Sequence, residues 1–218
     1  MSKTAIAFVV SLLAAGASAV HAQDASAGDA AAGQKKAAMC IGCHGIPNYR
    51  ASFPEIHQVP MTSGQGAKYI AAALQAYRKG ERKHPTMRGI AQTLSEKDIA
   101  DVSAFYEQQA QAPAAGDAPA APAAVAELLN KGACASCHGA NFSKPIDGAY
   151  PKLAGQHADY LYVALKSYQT EGNAYVGRGN AIMAGQVKQF SHAELKAIAK
   201  YLSSLGGELR TVPQSKMR

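Results

Sequence analysis

Cys40-Ile41-Gly42-Cys43-His44 and Cys134-Ala135-Ser136-Cys137-His138 hold every cysteine of this 218-residue chain. Two thiols three residues apart, with an imidazole directly after the second, suit covalent attachment of a c-type haem. The sulfurs of Cys40 and Cys43, and of Cys134 and Cys137, take up the vinyl groups, and His44 and His138 lie under the irons as ligands. Other CxxC chemistries fit less well. A structural zinc knuckle pairs its two CxxC units at about 15–20 residues, and here they lie far wider apart. A thioredoxin-type motif needs a βαβ setting, whereas the flanks here read as helical. Disulfides give no reason for a histidine after each pair. The motif thus predicts two covalently bound haem c groups.

The elements that position these groups occur twice. Gly64-Gln65-Gly66-Ala67-Lys68-Tyr69-Ile70, then Ala73-Leu74 and Tyr77, matches Gly155-Gln156-His157-Ala158-Asp159-Tyr160-Leu161, then Ala164-Leu165 and Tyr168, at a shift of 91 residues. Leu94-Ser95 with Ile99, Val102 and Tyr106 matches Phe190-Ser191 with Leu195, Ile198 and Leu202, at a shift of 96. The chain is a tandem duplication. Pro113, Pro119 and Pro122 among alanines mark a semi-extended linker between the copies. The expected organisation is a leader at 1–22, a first domain at 23–110, a linker at 111–124, a second domain at 125–206 and a basic tail at 207–218.

Each copy reads as all-α: helix, haem-binding turn, loop, helix, loop, helix. The first helix is expected at about Asp29–Met39 and its counterpart near Val125–Lys131. Ile70, Leu74 and Tyr77, and again Leu161, Leu165 and Tyr168, give the middle helix one buried face. Ser191 with Glu194 forms a capping box ahead of the last helix, and Ser95 with Asp98 a weaker one. Domains this small and alanine-rich cannot close a core on side chains alone, and a buried porphyrin supplies the missing apolar surface.

The second axial ligand follows from position. In the second copy the only methionines are Met183 and Met217, and Met217 lies in the tail, which leaves Met183. Met87 stands at a similar distance after His44 as Met183 does after His138, so the pattern repeats. Met39 adjoins Cys40 on the attachment side. Met61, His57 and His84 are rivals in the first copy, and position relative to the last helix favours Met87. His/Met ligation fills both axial positions and raises the reduction potential, as in electron-transferring cytochromes.

Met1–Ala22 reads as a secretory leader, with Lys3, an apolar run over Ala5–Ala15 and a small-residue cleavage site at Val20-His21-Ala22. The apolar run falls short of the ~20 residues that span a bilayer. Export to the periplasm also fits thiols that must meet haem outside a reducing cytoplasm. The net charge of +7 and pI near 9.2 suit nucleic acid on charge alone, but an exported haem protein meets little of it. Without Lys3, and with four ionised propionates, the total falls to about +2.

The two CxxCH units, the Phe53-Pro54 and Tyr150-Pro151 pairs, the Gly-Gln helix starts and the methionine before a capped helix resemble the di-haem cytochrome c4 family. That family is a tandem of class I cytochrome c folds, and the resemblance covers about Ala25–Leu205. It is weaker between Ile46 and Gly64, where Ile56–Ser63 intervenes after Phe53-Pro54; Tyr150–Gln156 keeps the family pattern. The resemblance implies that the carbonyls of Pro54 and Pro151 accept from His44 and His138, the alternative being plain turns. It implies haems close across the domain interface, with Tyr69 and Tyr160 as propionate or interface contacts.

The implied function is single-electron transfer between redox partner proteins, not catalysis. A di-haem peroxidase needs a displaceable ligand, and a thiosulfate dehydrogenase of this fold needs a spare cysteine. The electron-transfer haem subunit of a periplasmic dehydrogenase complex is the alternative. Arg78, Lys79, Arg82, Lys83 and Arg88 surround Met87, whereas Tyr168–Gly172 carries Glu171 and no lysine or arginine. A positive rim on the first domain alone is therefore expected to meet an acidic docking surface. The alternative there is a solvated loop whose charges answer the propionates.

Overall fold

The computed structural model describes residues 28–112 and 119–213; the expected leader, 113–118 of the expected linker and Met217 lie outside the described residues. The first half carries α1 (Ala30–Lys36), α2 (Ala38–His44), α3 (Ala67–Lys79), α4 (Pro85–Gln92) and α5 (Glu96–Glu107). The second carries α6 (Ala123–Lys131), α7 (Cys134–His138), α8 (Ala158–Tyr168), α9 (Ala181–Val187) and α10 (His192–Ser204). Four two-residue strands complete it: β1 (Arg50–Ala51), β2 (His57–Gln58), β3 (Arg82–Lys83) and β4 (Gly177–Arg178).

Two separate apolar clusters form, one per half. Ile70 and Leu74 of α3 meet Ile99, Val102, Phe105 and Tyr106 of α5 in the first. Leu161 of α8 meets Leu195, Ile198 and Leu202 of α10, with Phe142, Val187 and Phe190, in the second. The α1 and α5 helices cross closely because Gly33 has no side chain: a Cβ there lies 2.0 Å from the Asp101 carbonyl oxygen.

The sequence pattern finds the helices but not all of their ends. The α1 helix is capped by Asp29, whose carboxylate accepts from the Ala31 and Ala32 amides, as the expected start at Asp29 requires. The haem-binding segments are helical rather than turns, α2 following α1 after a break at Ala37. The α6 helix begins at Ala123, before the expected Val125, because the Pro122 carbonyl accepts from the Val125 and Ala126 amides.

Both capping boxes form, in α5 by Ser95 with Asp98 and in α10 by Ser191 with Glu194. Hydrogen bonds from the Ser95 amide and hydroxyl, with Lys36 at 3.0 Å, pull the Asp98 carboxyl down to about 2. A depressed carboxyl stabilises the fold above its unfolded value and loses that contribution as pH falls through the folded one. Ser95→Ala removes the N-cap hydroxyl of α5, and loss of such a cap costs about 1 kcal/mol. In thermal melts, the gap between variant and parent should narrow as pH falls from about 4 to 2; a constant gap refutes the linkage.

Candidate haem-binding site

The glutamines of the repeated Gly-Gln pairs make the junction between the two halves. The Gln65 side chain accepts from the Lys152 amide at 2.9 Å and donates to the Lys152 carbonyl at 3.0 Å. Gln156 does the same to Met61, at 3.0 and 2.9 Å. Both carboxamides are buried, and such paired bonds hold where an unpaired amide is costly. Gly64, at φ +88, lets the chain turn under the C-terminal segment; a Cβ there lies 2.3 Å from the Glu208 carbonyl oxygen. That segment, read as tail, docks: the Arg210 amide donates to the Ser63 carbonyl and Glu208 pairs with Lys152.

A continuous cavity of about 700 Å³ runs through both halves, lined by Cys43, His44 and Met87 on one side and Cys134, Cys137, His138 and Met183 on the other. Cys40 packs against the first core rather than on the cavity wall. Most of the remaining wall is aliphatic or aromatic, including Ile70, Leu74, Leu161, Leu195 and Leu202.

Each histidine is fixed through Nδ1. His138 donates to the Pro151 carbonyl at 3.1 Å, the contact the resemblance implied. His44 donates at 2.9 Å to Pro60, not Pro54. The expectation of Pro54 is wrong because β1 and β2 form a hairpin that carries Pro54 away, and the chain returns only at Pro60. Pro60 is the residue that the 91-residue shift pairs with Pro151, so carrying that shift four residues upstream of Gly64 finds it. Burial pushes both imidazoles below their ordinary pKa, against the prolyl hydrogen bonds, which keeps Nε2 a neutral nitrogen donor.

Met87 and Met183 are each the third residue of a short helix. His84 Nδ1 accepts from the Met87 amide at 3.4 Å, and Asn180 accepts from the Met183 amide at 2.9 Å. Pro85 at the first position of α4 suits its start. The rivals are otherwise engaged. His84 caps α4 and packs edge-on to Phe53; His57 is buried, its Nδ1 held by the Glu55 carbonyl and its ring stacked with Tyr160. Met61 directly follows Pro60, the acceptor of the His44 hydrogen bond, and its backbone is held by Gln156.

The hairpin explains where the first copy departs from the second. Asp159 accepts from the Gln58 amide at 2.9 Å and from Arg50 at 3.2 Å, and Glu55 pairs with Lys166 at 2.6 Å. The inserted residues thus clasp α8 of the other half.

The expected one-sided positive rim requires correction. Arg82 lies in β3, which pairs with β4 so that Arg82 faces Arg178 across the interface. Arg178 is its counterpart at the 96-residue shift, and it lies beyond Tyr168–Gly172 because the second copy has the longer loop. Lys83 donates to the Asn173 carbonyl, and Arg78 pairs with Glu96 on its own half. Lys79, Lys83 and Arg88 of that set are exposed and outside any ion pair among the described residues, Lys83 with its ammonium on the Asn173 carbonyl.

Two small helical units, each with a Cys-x-x-Cys-His helix, a prolyl-anchored imidazole and a methionine on a capped helix, are tandem class I cytochrome c domains. A family model described as cytochrome c matches residues 122–206. Cytochrome c4 of Azotobacter vinelandii is 33% identical over 83% of this chain and 90% of that protein. A thiosulfate dehydrogenase electron acceptor of Stutzerimonas stutzeri is 31% identical over 80% and 82%. The crystal structure of reduced cytochrome c4 from Pseudomonas stutzeri matches with a TM-score of 0.60 at 29% identity, over 82% of this chain and all of that one. The chain belongs to the cytochrome c4 family, carries two covalently bound haem c groups and is an electron carrier.

Proposed function

We propose that the protein passes single electrons between periplasmic redox partners, with His44 and Met87 as axial ligands in the first domain and His138 and Met183 in the second. The observation that carries this is the duplication of the site: in both halves a prolyl-anchored imidazole and a helix-borne methionine line the same cavity. Bound haem supplies a one-electron iron couple whose potential is raised by His/Met ligation. The chain's own part is to hold Nε2 of each histidine toward the cavity, to offer a soft thioether and to keep apolar walls around both. With a histidine and a methionine held to ligate each iron, no position would be left open to substrate, which supports a carrier rather than an enzyme.

A periplasmic location is supported by the leader at 1–22 and by the haem-attaching thiols; among the described residues no helix is long and apolar enough to cross a membrane. Lys79 and Arg88 support docking to an acidic partner surface. A thiosulfate-oxidising enzyme is one class of electron donor, favoured by the similarity to an electron acceptor of such an enzyme. Stopped-flow mixing should show both haems oxidised and reduced by small redox reagents within the mixing time range of outer-sphere transfer, and no fast reaction with peroxide. Rapid peroxide turnover would overturn the carrier reading. Lys79→Glu with Arg88→Glu should slow association with the partner and flatten its salt dependence.

A further inference from the structure

The two domains differ beside the first cysteine of each attachment motif. In the first, Cys40 packs against a core that includes Tyr106, near the end of α5. In the second, Cys134 and Leu153 pack against a core that includes Leu202. The positions correspond: the 91-residue shift takes Thr62 to Leu153, and the 96-residue shift takes Tyr106 to Leu202. The backbone bonds repeat as well. The Gly64 amide donates to the Tyr106 carbonyl at 2.8 Å, and that of Gly155 to Leu202 at 3.0 Å; Gln65 donates to the Thr62 carbonyl and Gln156 to that of Leu153, both at 3.1 Å. One backbone frame thus carries two hydroxyls in the first domain and two leucines in the second.

The two hydroxyls are unanswered. Tyr106 is 5% exposed, and its hydroxyl and that of Thr62 are shielded from solvent with no hydrogen bond of ordinary geometry among the described residues. They face each other, and the Tyr106 hydroxyl also faces the Cys40 sulfur. A buried hydroxyl without a partner is costly. Burial pushes the Tyr106 phenol above its ordinary pKa, so it keeps its proton and stays a donor. Attachment to haem removes the hydrogen of the Cys40 thiol and leaves a thioether, which can only accept. The arrangement that satisfies both hydroxyls is a chain in which Thr62 donates to Tyr106 and Tyr106 donates to the Cys40 sulfur. Leu153 and Leu202 offer Cys134 no such donor.

We propose that Tyr106, with Thr62 behind it, hydrogen-bonds the thioether sulfur of Cys40 and raises the reduction potential of the first haem alone. The inference deepens the electron-carrier reading and rests on it. Hydrogen bonds around a redox group and the polarity of its surroundings tune its potential. A donor directed at the sulfur places the positive end of its dipole toward the macrocycle, which favours the electron-rich ferrous state. Tyr106 is therefore a tuning residue that acts through Cys40 rather than on the iron.

The test uses the full-length protein with both haems in place. Tyr106→Phe keeps the ring and its packing and removes only the hydroxyl. At fixed poise the ferric-to-ferrous ratio of the first haem should rise roughly two- to fivefold, the scale of one neutral hydrogen bond, while that of the second stays put. Proton magnetic resonance of partly oxidised samples separates the haems through their methyl signals. In resonance Raman spectra, a carbon–sulfur stretching band of the parent should move on transfer to deuterium oxide, and that shift should vanish in Tyr106→Phe. Leu153→Thr with Leu202→Tyr transplants the pair and should lower the ferric-to-ferrous ratio of the second haem by a similar factor.

An unchanged or raised first potential in Tyr106→Phe, or an equal change at both haems, overturns the proposal. So does a parent whose carbon–sulfur bands ignore deuterium oxide. Where the transplanted chain fails to hold its second haem, Tyr106→Phe alone decides. A parent without the methionine charge-transfer band marks failure of the axial-ligand reading instead, and the deuterium shift still decides this one.

Discussion

Replacing Cys134 and Cys137 with alanine should leave the second domain largely unfolded while the first stays intact, read as loss of about half the helical circular dichroism and half the haem absorbance. The reason is the cavity. Leu161, Val187, Phe190, Leu195, Ile198 and Leu202 belong both to the second core and to the cavity wall, so the porphyrin is the surface they close upon. Half of a cavity of about 700 Å³ left unfilled would cost on the order of 8 kcal/mol at about 24 cal/mol per Å³. That is comparable with the ~5–15 kcal/mol by which whole domains are stable. Ligand that binds only the native state stabilises it, and here it is bonded to the chain. A haem-free chain with a full helical spectrum and a sharp melt would refute this coupling.

Met183→Ala should remove about half of the weak charge-transfer band of methionine-bound ferric haem and lower one of the two midpoint potentials; Met87→Ala should remove the other half and lower the other. The Asn180 and His84 caps leave the two helices in place when the side chain goes, because the cap bonds the methionine backbone amide and not its sulfur. Circular dichroism should accordingly stay close to that of the parent. Met61→Ala should leave the band whole, since Met61 sits beside the prolyl anchor of His44. If instead Met87→Ala left the band untouched and Met61→Ala halved it, the ligand assignment in the first domain would be reversed.

The sequence by itself determined the chemistry, the copy number and most helices. The CxxCH unit is a local covalent pattern, so its meaning survives without a fold, and the repeat at 91 and 96 residues is a property of the string. Helix starts were legible for the same reason: Asp29, Ser95 and Ser191 cap through residues two to three positions away. Tertiary structure alone decided what lies between the copies. The choice of Pro60 over Pro54 depends on a hairpin whose partner is α8 of the other domain. The reciprocal Gln65 and Gln156 bonds join residues far apart in the chain, and the pairing of Arg82 with Arg178 moves a charge from an expected docking rim into the interface. A pattern of residue types records which groups are present and their local spacing. Which distant backbone a buried carboxamide bonds, or which surface a cation faces, is fixed only when the two domains close on each other.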